Sequence, residues 1–525
     1  MHFLTQSVIY YLLTLFAFFV ASVYLTGCAL VVTNVKDVNL STAKQSPVKE
    51  DFDPLNTPLG KLHTQDFKQN TNKSGAILIP SGKEALLHRA ALARMASKSI
   101  LLQTYIYKND PESRLLMFEL LRAANRGVEV KILIDDNGLD SDFSDIITLD
   151  SHPNIQVKIF NPYANRYKVL RYAEMIYDFK RITHRMHNKI FVADNLALII
   201  GGRNVADNYF DTDKNVNFTD CDAIFIGPVA REAVQNFKLY WEFEKSVPAS
   251  LLPSKLSMKN YMQNLELNLN EISKAPQKWQ IYDEIMQKFL AKYQNKGFEI
   301  SWGKAYFLGD LPQKIQGLNF YPLSKALNAI TNSTQKSMYI ASAYFVPGKD
   351  GLKMIEELRN KGIEVLALTN SLASVDSAVV YAAWQRYRDK LLDKGVKVYE
   401  YAYHGVKKSN LRDKTMSSNS SFHSKIITFD EQITWIGSFN LDPRSHNLNT
   451  ESIVVFENSE FARLANENIL ADTKNSWQLV RENGKTTWQG FDTNGVFKIY
   501  TKPPDTSIFL RGFNFLSKIL PESQI

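Results

Sequence analysis

RMHNKIFVADNLALIIGGRN fills residues 185–204, and SFHSKIITFDEQITWIGSFN fills residues 421–440. Both contain the pattern His-x-Lys-x4-Asp: His187, Lys189 and Asp194 in the first, His423, Lys425 and Asp430 in the second, at a constant offset of 236 (187 to 423). Both end in Gly-x-x-Asn, placing Asn204 and Asn440 at the same offset. Further on, Asp220 in DCDAIF corresponds to Glu451 in ESIVVF. One such pattern has little specificity, whereas two at a fixed offset with matching flanks mark a duplicated domain.

The surrounding sequence agrees. Residues 84–97 have helical spacing of apolar positions, residues 99–107 (SILLQTYIY) favour strand, residues 112–125 return to helix, and residues 128–135 (VEVKILID) read as a buried strand. The order recurs as strand 336–345, helix 352–360 and strand 363–369, and the turn Arg126-Gly127-Val128 is matched by Lys361-Gly362-Ile363. This alternation predicts an α/β fold: two domains of mixed sheets flanked by helices.

The chemistry follows from spacing. Residues 187–193 and 423–429 both read as strands, on which positions i and i+2 share a face. Two copies facing each other across a pseudo-twofold axis bring two imidazoles and two ammonium groups to one point, with Asn204 and Asn440 as amide donors. The result is a cationic pocket for one phosphate. One histidine attacks phosphorus and the other works as general acid and then base. A carboxylate on the far ring nitrogen fixes the tautomer, and Asp220 and Glu451 are the candidates. No divalent metal or other cofactor is needed.

At these residues the chain resembles the phospholipase D superfamily. SAYFVP (342–347), LTNSLAS (368–374) and GSFNLDPRSHNLNTE (437–451) extend the resemblance to bacterial cardiolipin synthases of the C type, from about residue 75 to the C-terminus. The resemblance implies two domains sharing one site, and transfer of a phosphatidyl group to a second phospholipid's headgroup. It carries catalytic roles to His187, Lys189, Asp194, His423, Lys425 and Asp430, substrate binding to Asn204 and Asn440, and by analogy the nucleophile to His187.

Composition bounds the alternatives. The 525 residues are 45% apolar and 22% charged, with a net charge of +8, which suits contact with phosphates of a membrane or a nucleic acid. The two cysteines, Cys28 and Cys221, do not form a zinc-site pattern. Residues 8–24 are apolar and uncharged, and Leu-Thr-Gly-Cys ends at Cys28. Either a lipoprotein-type signal acylated at Cys28 or an uncleaved transmembrane anchor fits, and both tether the chain to a bacterial envelope membrane, on its periplasmic side.

The expected organisation is signal or anchor 1–28, flexible tether 29–72, first domain 73–250, connecting segment 251–330, second domain 331–495 and a membrane-associating tail 496–525. In the tail, Ser507 caps a helix with Phe509, Phe513, Leu516 and Leu520 on one face; it reads as interfacial or as docked on the core. Residues 163–185 interleave basic and aromatic side chains before the first motif, and a second basic loop, 407–414, precedes the other. Tether, tail and length favour phospholipid and an anionic membrane surface as partners over nucleic acid. Hydrolysis of phospholipid to phosphatidic acid, a nuclease and a non-enzymatic scaffold are the competing readings; an accessory protein is left open.

Overall fold

The computed structural model describes residues 45–139, 143–164, 171, 174, 177–252, 276–402, 419–492 and 494–519. Cys28 and the signal or anchor, the whole basic loop 407–414 and Leu520 lie outside them.

The first half contributes β1 (Ser74–Ile79), β2 (Ser99–Tyr107), β3 (Glu129–Leu139), β4 (Ile155–Phe160), β5 (Ile190–Ala193), β6 (Ala197–Gly201), β7 (Val216–Thr219), β8 (Asp222–Ile226) and β9 (Ser246–Pro248). Hydrogen bonding orders them β1-β8-β6-β5-β2-β3-β4-β9, with β2-β3 and β3-β4 parallel and the other pairs antiparallel. The strand β10 (Ser301–Gly309) follows. The second half contributes β11 (Ser337–Ser342), β12 (Glu364–Asn370), β13 (Lys397–Tyr401), β14 (Asn419–Phe422), β15 (Lys425–Phe429), β16 (Ile433–Gly437), β17 (Ser452–Glu457), β18 (Ser476–Glu482), β19 (Lys485–Phe491) and β20 (Phe497–Tyr500). Their order is β17-β16-β15-β11-β12-β13-β18-β19-β20, again with the two central pairs β11-β12 and β12-β13 parallel. The repeat in sequence is thus a repeat in topology. Its matched helix-to-strand turns place Gly127 and Gly362 at φ +91° and +78°, where a side chain is strained.

The two sheets face each other across a shared core. Leu101, Val192 and Ile200 from one sheet pack in the same cluster as Leu366, Ile426 and Val454 from the other. The helices Pro228–Trp241 and Ser459–Thr473 close this cluster. Phe225, Phe456 and Phe461 form an aromatic trio, with centroids 5.4, 5.1 and 6.2 Å apart, in which the halves meet. Such ring pairs add about 0.5–1.5 kcal/mol each to the burial of their area. The remaining helices cover the outer faces, giving each half a second core. Residue periodicity explains the arrangement: alternate strand positions supply the inner and outer faces.

Three of the expected boundaries need correction. Residues 45–72 are not a loose tether over their described length. Val48 and Leu59 are buried, Asp53 and Thr57 cap short helices beginning at Pro54 and Pro58, and Ser46 accepts a 2.7 Å hydrogen bond from Lys131 Nζ. The polar composition masked two apolar anchors and two cap-plus-proline signals. The connecting segment is also structural. The helix Pro276–Gln294 buries Met286, Phe289 and Tyr293 in the first half's outer core. β10 pairs with β1 through Ser301 to Gly303 and with β17 through Lys304 to Gly309, so one strand joins both sheets. Finally, the tail contributes β20 to the second sheet before its helix, Ile508–Ser517, starts at the expected cap Ser507.

Candidate active site

The motif histidines lie just ahead of the strands on which the sequence placed them: β5 begins at Ile190 and β15 at Lys425. Their backbones are bound to the opposite half instead. His187 N–H donates to Thr450 O (2.9 Å), and Thr450 N–H donates to Arg185 O (2.9 Å). His423 N–H donates to Thr219 O (2.8 Å) at the end of the parallel pair β7-β14. Thr219 and Thr450 each precede one of the carboxylate residues, so this stitching sets the carboxylates crosswise. His187 Nδ1 meets Glu451 Oε1 and Oε2 at 2.9 and 3.0 Å, and His423 Nδ1 meets Asp220 Oδ2 at 2.7 Å. With Nδ1 donating to a carboxylate, Nε2 is left as the lone-pair nitrogen of each ring.

Both carboxylates are fully buried and held in place. Glu451 also accepts from Ser438 Oγ and from Ser445 Oγ (2.8 Å). Its backbone N–H donates to Asp310 Oδ2 (3.0 Å), which Lys314 Nζ also reaches at 2.7 Å, so the segment after β10 braces the site. Asp220 accepts from Cys221 N–H (2.7 Å), and Arg203 donates to its carbonyl. In the first half Gly202 stands where Ser438 stands in the second. A Cβ there would lie 2.5 Å from Asp220 Oδ2, so glycine leaves the room that the shorter carboxylate occupies.

Lys189 Nζ and Lys425 Nζ donate to the carbonyls of their own histidines at 2.7 and 2.6 Å. Burial drives Lys189 down to about 7, against the opposing pull of Glu451, with Lys425 adding repulsion; burial likewise lowers Lys425. Burial and the two lysines hold both imidazoles well below the usual histidine range, which keeps a neutral nucleophile available. Burial raises Glu451 to about 7 and Asp220 above its ordinary value. Asn204 Oδ1 accepts from Ile106 N–H (3.0 Å), and among the described residues its buried Nδ2 and the buried Asn440 Oδ1 have no hydrogen-bond partner. Buried lysines and an unpaired amide donor suit an anion entering between the histidines.

Asp194 and Asp430, placed among the catalytic residues from the sequence, do other work. Each sits in the hairpin turn after its motif strand in a left-handed conformation, φ +49° and +56°. Asp194 accepts from the backbone N–H groups of Ser97, Lys98 and Ser99 (2.7–3.1 Å), and Asp430 from those of Gln335, Lys336 and Ser337 (2.7–3.1 Å). They lock the motif strand to its neighbour.

Sequence reading also missed the rings around the histidines. Tyr105 stands edge-on to His187 at 5.1 Å, and Tyr209 and Phe218 lie 5.2 Å from His423. These residues come from distant segments: Tyr105 and Phe218 lie near strand ends, whereas Tyr209 ends a short 3-10 helix, Asp207–Tyr209, and carries no such signal. Ser438 and Ser445 were legible as part of the family-like stretch GSFNLDPRS but not as supports for Glu451.

Fold and site define a duplicated α/β enzyme in which two His-Lys motifs build one pocket for phosphodiester chemistry. A family model described as "Cardiolipin synthase, PLD-like domain" matches residues 90–241 and 327–473, and the chain belongs to that family. It is 34% identical to cardiolipin synthase C of Escherichia coli (strain K12), over 86% of this chain and 96% of that protein. It is 45% identical to an uncharacterized protein of Helicobacter pylori (strain ATCC 700392 / 26695), over 91% of this chain and 95% of that one. The crystal structure of phosphatidylserine synthase from Haemophilus influenzae Rd KW20 shares the fold, with a TM-score of 0.57 and 14% identity over 89% of this chain and 100% of that one.

Proposed function

We propose that the chain is a phosphatidyltransferase of the cardiolipin synthase kind, moving a phosphatidyl group from one phospholipid to the headgroup alcohol of another. Phosphatidylglycerol, phosphatidylethanolamine or both supply donor and acceptor. The observation that carries this reading is the crossed pairing of His187 with Glu451 and His423 with Asp220 around two buried lysines.

His187, the nucleophile by family resemblance, attacks phosphorus through Nε2 while Nδ1–H stays on Glu451. The P–O bond to the headgroup breaks, and protonated His423 gives its proton to the departing alkoxide. The diester's negative charge offsets Lys189 and Lys425 and so favours the proton on His423, whose imidazolium Asp220 stabilises. In the second half-reaction neutral His423 takes the proton of the acceptor alcohol, the alkoxide attacks phosphorus, and the P–N bond breaks to return neutral His187. Lys189, Lys425 and the Asn204 amide carry the charge of the non-bridging oxygens in both steps.

The reading extends to an anionic bacterial membrane as the working surface, reached through acylated Cys28 or an N-terminal span on the periplasmic side. Among the described residues no helix is long and apolar enough to cross a membrane.

The test is thin-layer chromatography of membranes containing the protein, fed labelled phosphatidylglycerol with and without phosphatidylethanolamine. Labelled cardiolipin from the wild type, and none from His187→Ala or His423→Ala, is the expected result. Phosphatidic acid without cardiolipin would replace transfer by hydrolysis. Near-normal turnover in either variant would end the shared-site mechanism.

A further inference from the structure

The C-terminal helix Ile508–Ser517 is docked the opposite way round from an ordinary amphipathic helix. Its inward face carries Asn514 and Ser517, only 4% and 5% exposed, beside Leu510, which packs against the second half's outer core; Asn514 Nδ2 donates to Gln385 Oε1 (3.0 Å) on the helix Ala378–Asp393. Arg386 of that helix donates to Lys518 O (2.8 Å) just beyond the last turn. The outward face is apolar, with Phe509 89%, Ile508 77% and Phe515 69% exposed. A helix that turns its phenylalanines to the outside suits an apolar surrounding.

The hairpin that precedes the helix is apolar and exposed as well. Phe491 and Phe497, whose rings meet at 5.5 Å across the β19-β20 hairpin, and Ile499 beside them are also exposed. Lys498, Lys502 and Lys518 are exposed in the same segment, with Arg511 half-buried, against Asp492 and Asp505. Bulky apolar groups among basic ones match the headgroup boundary of an anionic bilayer. The supporting helix Ala378–Asp393 begins two residues after Asp376. The Asp376 carboxylate accepts from Tyr344 Oη (2.5 Å) and acts electrostatically on Lys425, so this element starts at the rim of the active site.

We propose that the outer face of the Ile508–Ser517 helix and the β19-β20 hairpin together form a bilayer-docking surface, which seats an anionic membrane beside the pocket. This rests on the lipid-acting reading above. Docking supplies diacyl substrates laterally from the membrane; it is unnecessary for substrates dissolved in water.

The experiment uses the full chain reconstituted with phosphatidylglycerol/phosphatidylcholine vesicles. An environment-sensitive fluorophore is placed at Phe513→Cys, with Glu284→Cys on the helix Pro276–Gln294 as the control and the parent protein as background. Doxyl-lipid quenching at position 513, none at 284, and weaker quenching on pure phosphatidylcholine are expected. In parallel, Phe509→Asp/Phe513→Asp/Phe515→Asp should lower turnover of vesicle phosphatidylglycerol at least tenfold and leave turnover of monomeric dihexanoyl phosphatidylglycerol unchanged. An unquenched label, vesicle turnover like the wild type's, or equal losses on both substrates would overturn the proposal. So would protection of position 513 by dimerisation in the absence of lipid. If the wild type fails on dihexanoyl phosphatidylglycerol while position 513 is still quenched, the catalytic reading fails and the docking surface stands.

Discussion

Glu451→Gln isolates the electrostatic role of a carboxylate without changing its shape. In the wild type three donors converge on Glu451: His187 Nδ1, Ser438 Oγ and Ser445 Oγ. When His187 becomes a phosphoimidazolium it carries a positive charge about 4 Å from the carboxylate charge; at an effective dielectric of about 20 this attraction is about 4 kcal/mol. The amide removes it, and the expected fall in kcat is about 10^3-fold. Loss of tautomer control acts in the same direction: an amide N–H₂ turned toward the ring would place the imidazole proton on the attacking nitrogen. The same substitution has a signature in pH. Lys189, held down to about 7 by burial, is partly restored by Glu451. Only its protonated form helps to bind the diester anion, so kcat/KM should fall as pH rises through about 7. Removing the Glu451 charge lowers Lys189 further and moves this alkaline limb to lower pH. The assay is conversion of labelled phosphatidylglycerol across a pH series, with circular dichroism confirming the fold. A kcat within tenfold of wild type, or a limb that stays in place, would refute the reasoning.

Other perturbations separate the supports from the reacting groups. Gly202→Ala places a Cβ 2.5 Å from Asp220 Oδ2, so it should push the carboxylate off His423 and lower kcat about 100-fold, with little change in melting temperature. Asp194→Ala strands the N–H groups of Ser97, Lys98 and Ser99 and leaves alanine at φ +49°, so it should cost about 2–3 kcal/mol of stability and, in a chain whose halves share one core, about 2–3 °C in Tm. The folded fraction should keep kcat within a few-fold, and a catalytic loss as large as that of His187→Ala would return Asp194 to the reacting groups. Chelation by EDTA should leave transfer unchanged, and a loss restored by an added divalent ion would refute the metal-independent mechanism.

The repeat was legible because duplication preserves spacing. His187, Lys189 and Asn204 reappear at one offset, and Gly127 and Gly362 mark equivalent turns. From this the sequence by itself determined the α/β class, the duplicated architecture, the two-histidine pocket and the pair of carboxylates that serves it. It did not determine which carboxylate serves which histidine. That choice depends on cross-half backbone pairing, His187 with Thr450 and His423 with Thr219, between residues more than 200 positions apart. Nor did it separate His and Lys from the Asp of the same motif. A one-dimensional pattern records that three residues travel together, while only the fold reveals that the strand ends between them and the aspartate turns to its neighbour's amides. Polarity misled it about residues 45–72. Residues 45–72 have few apolar side chains, but Val48 and Leu59 are in the right places to bury. The tail helix has many, yet Phe509, Phe513 and Leu516 face outward while Leu510, Asn514 and Ser517 face the protein. Burial is a property of what packs opposite, and that is decided in three dimensions.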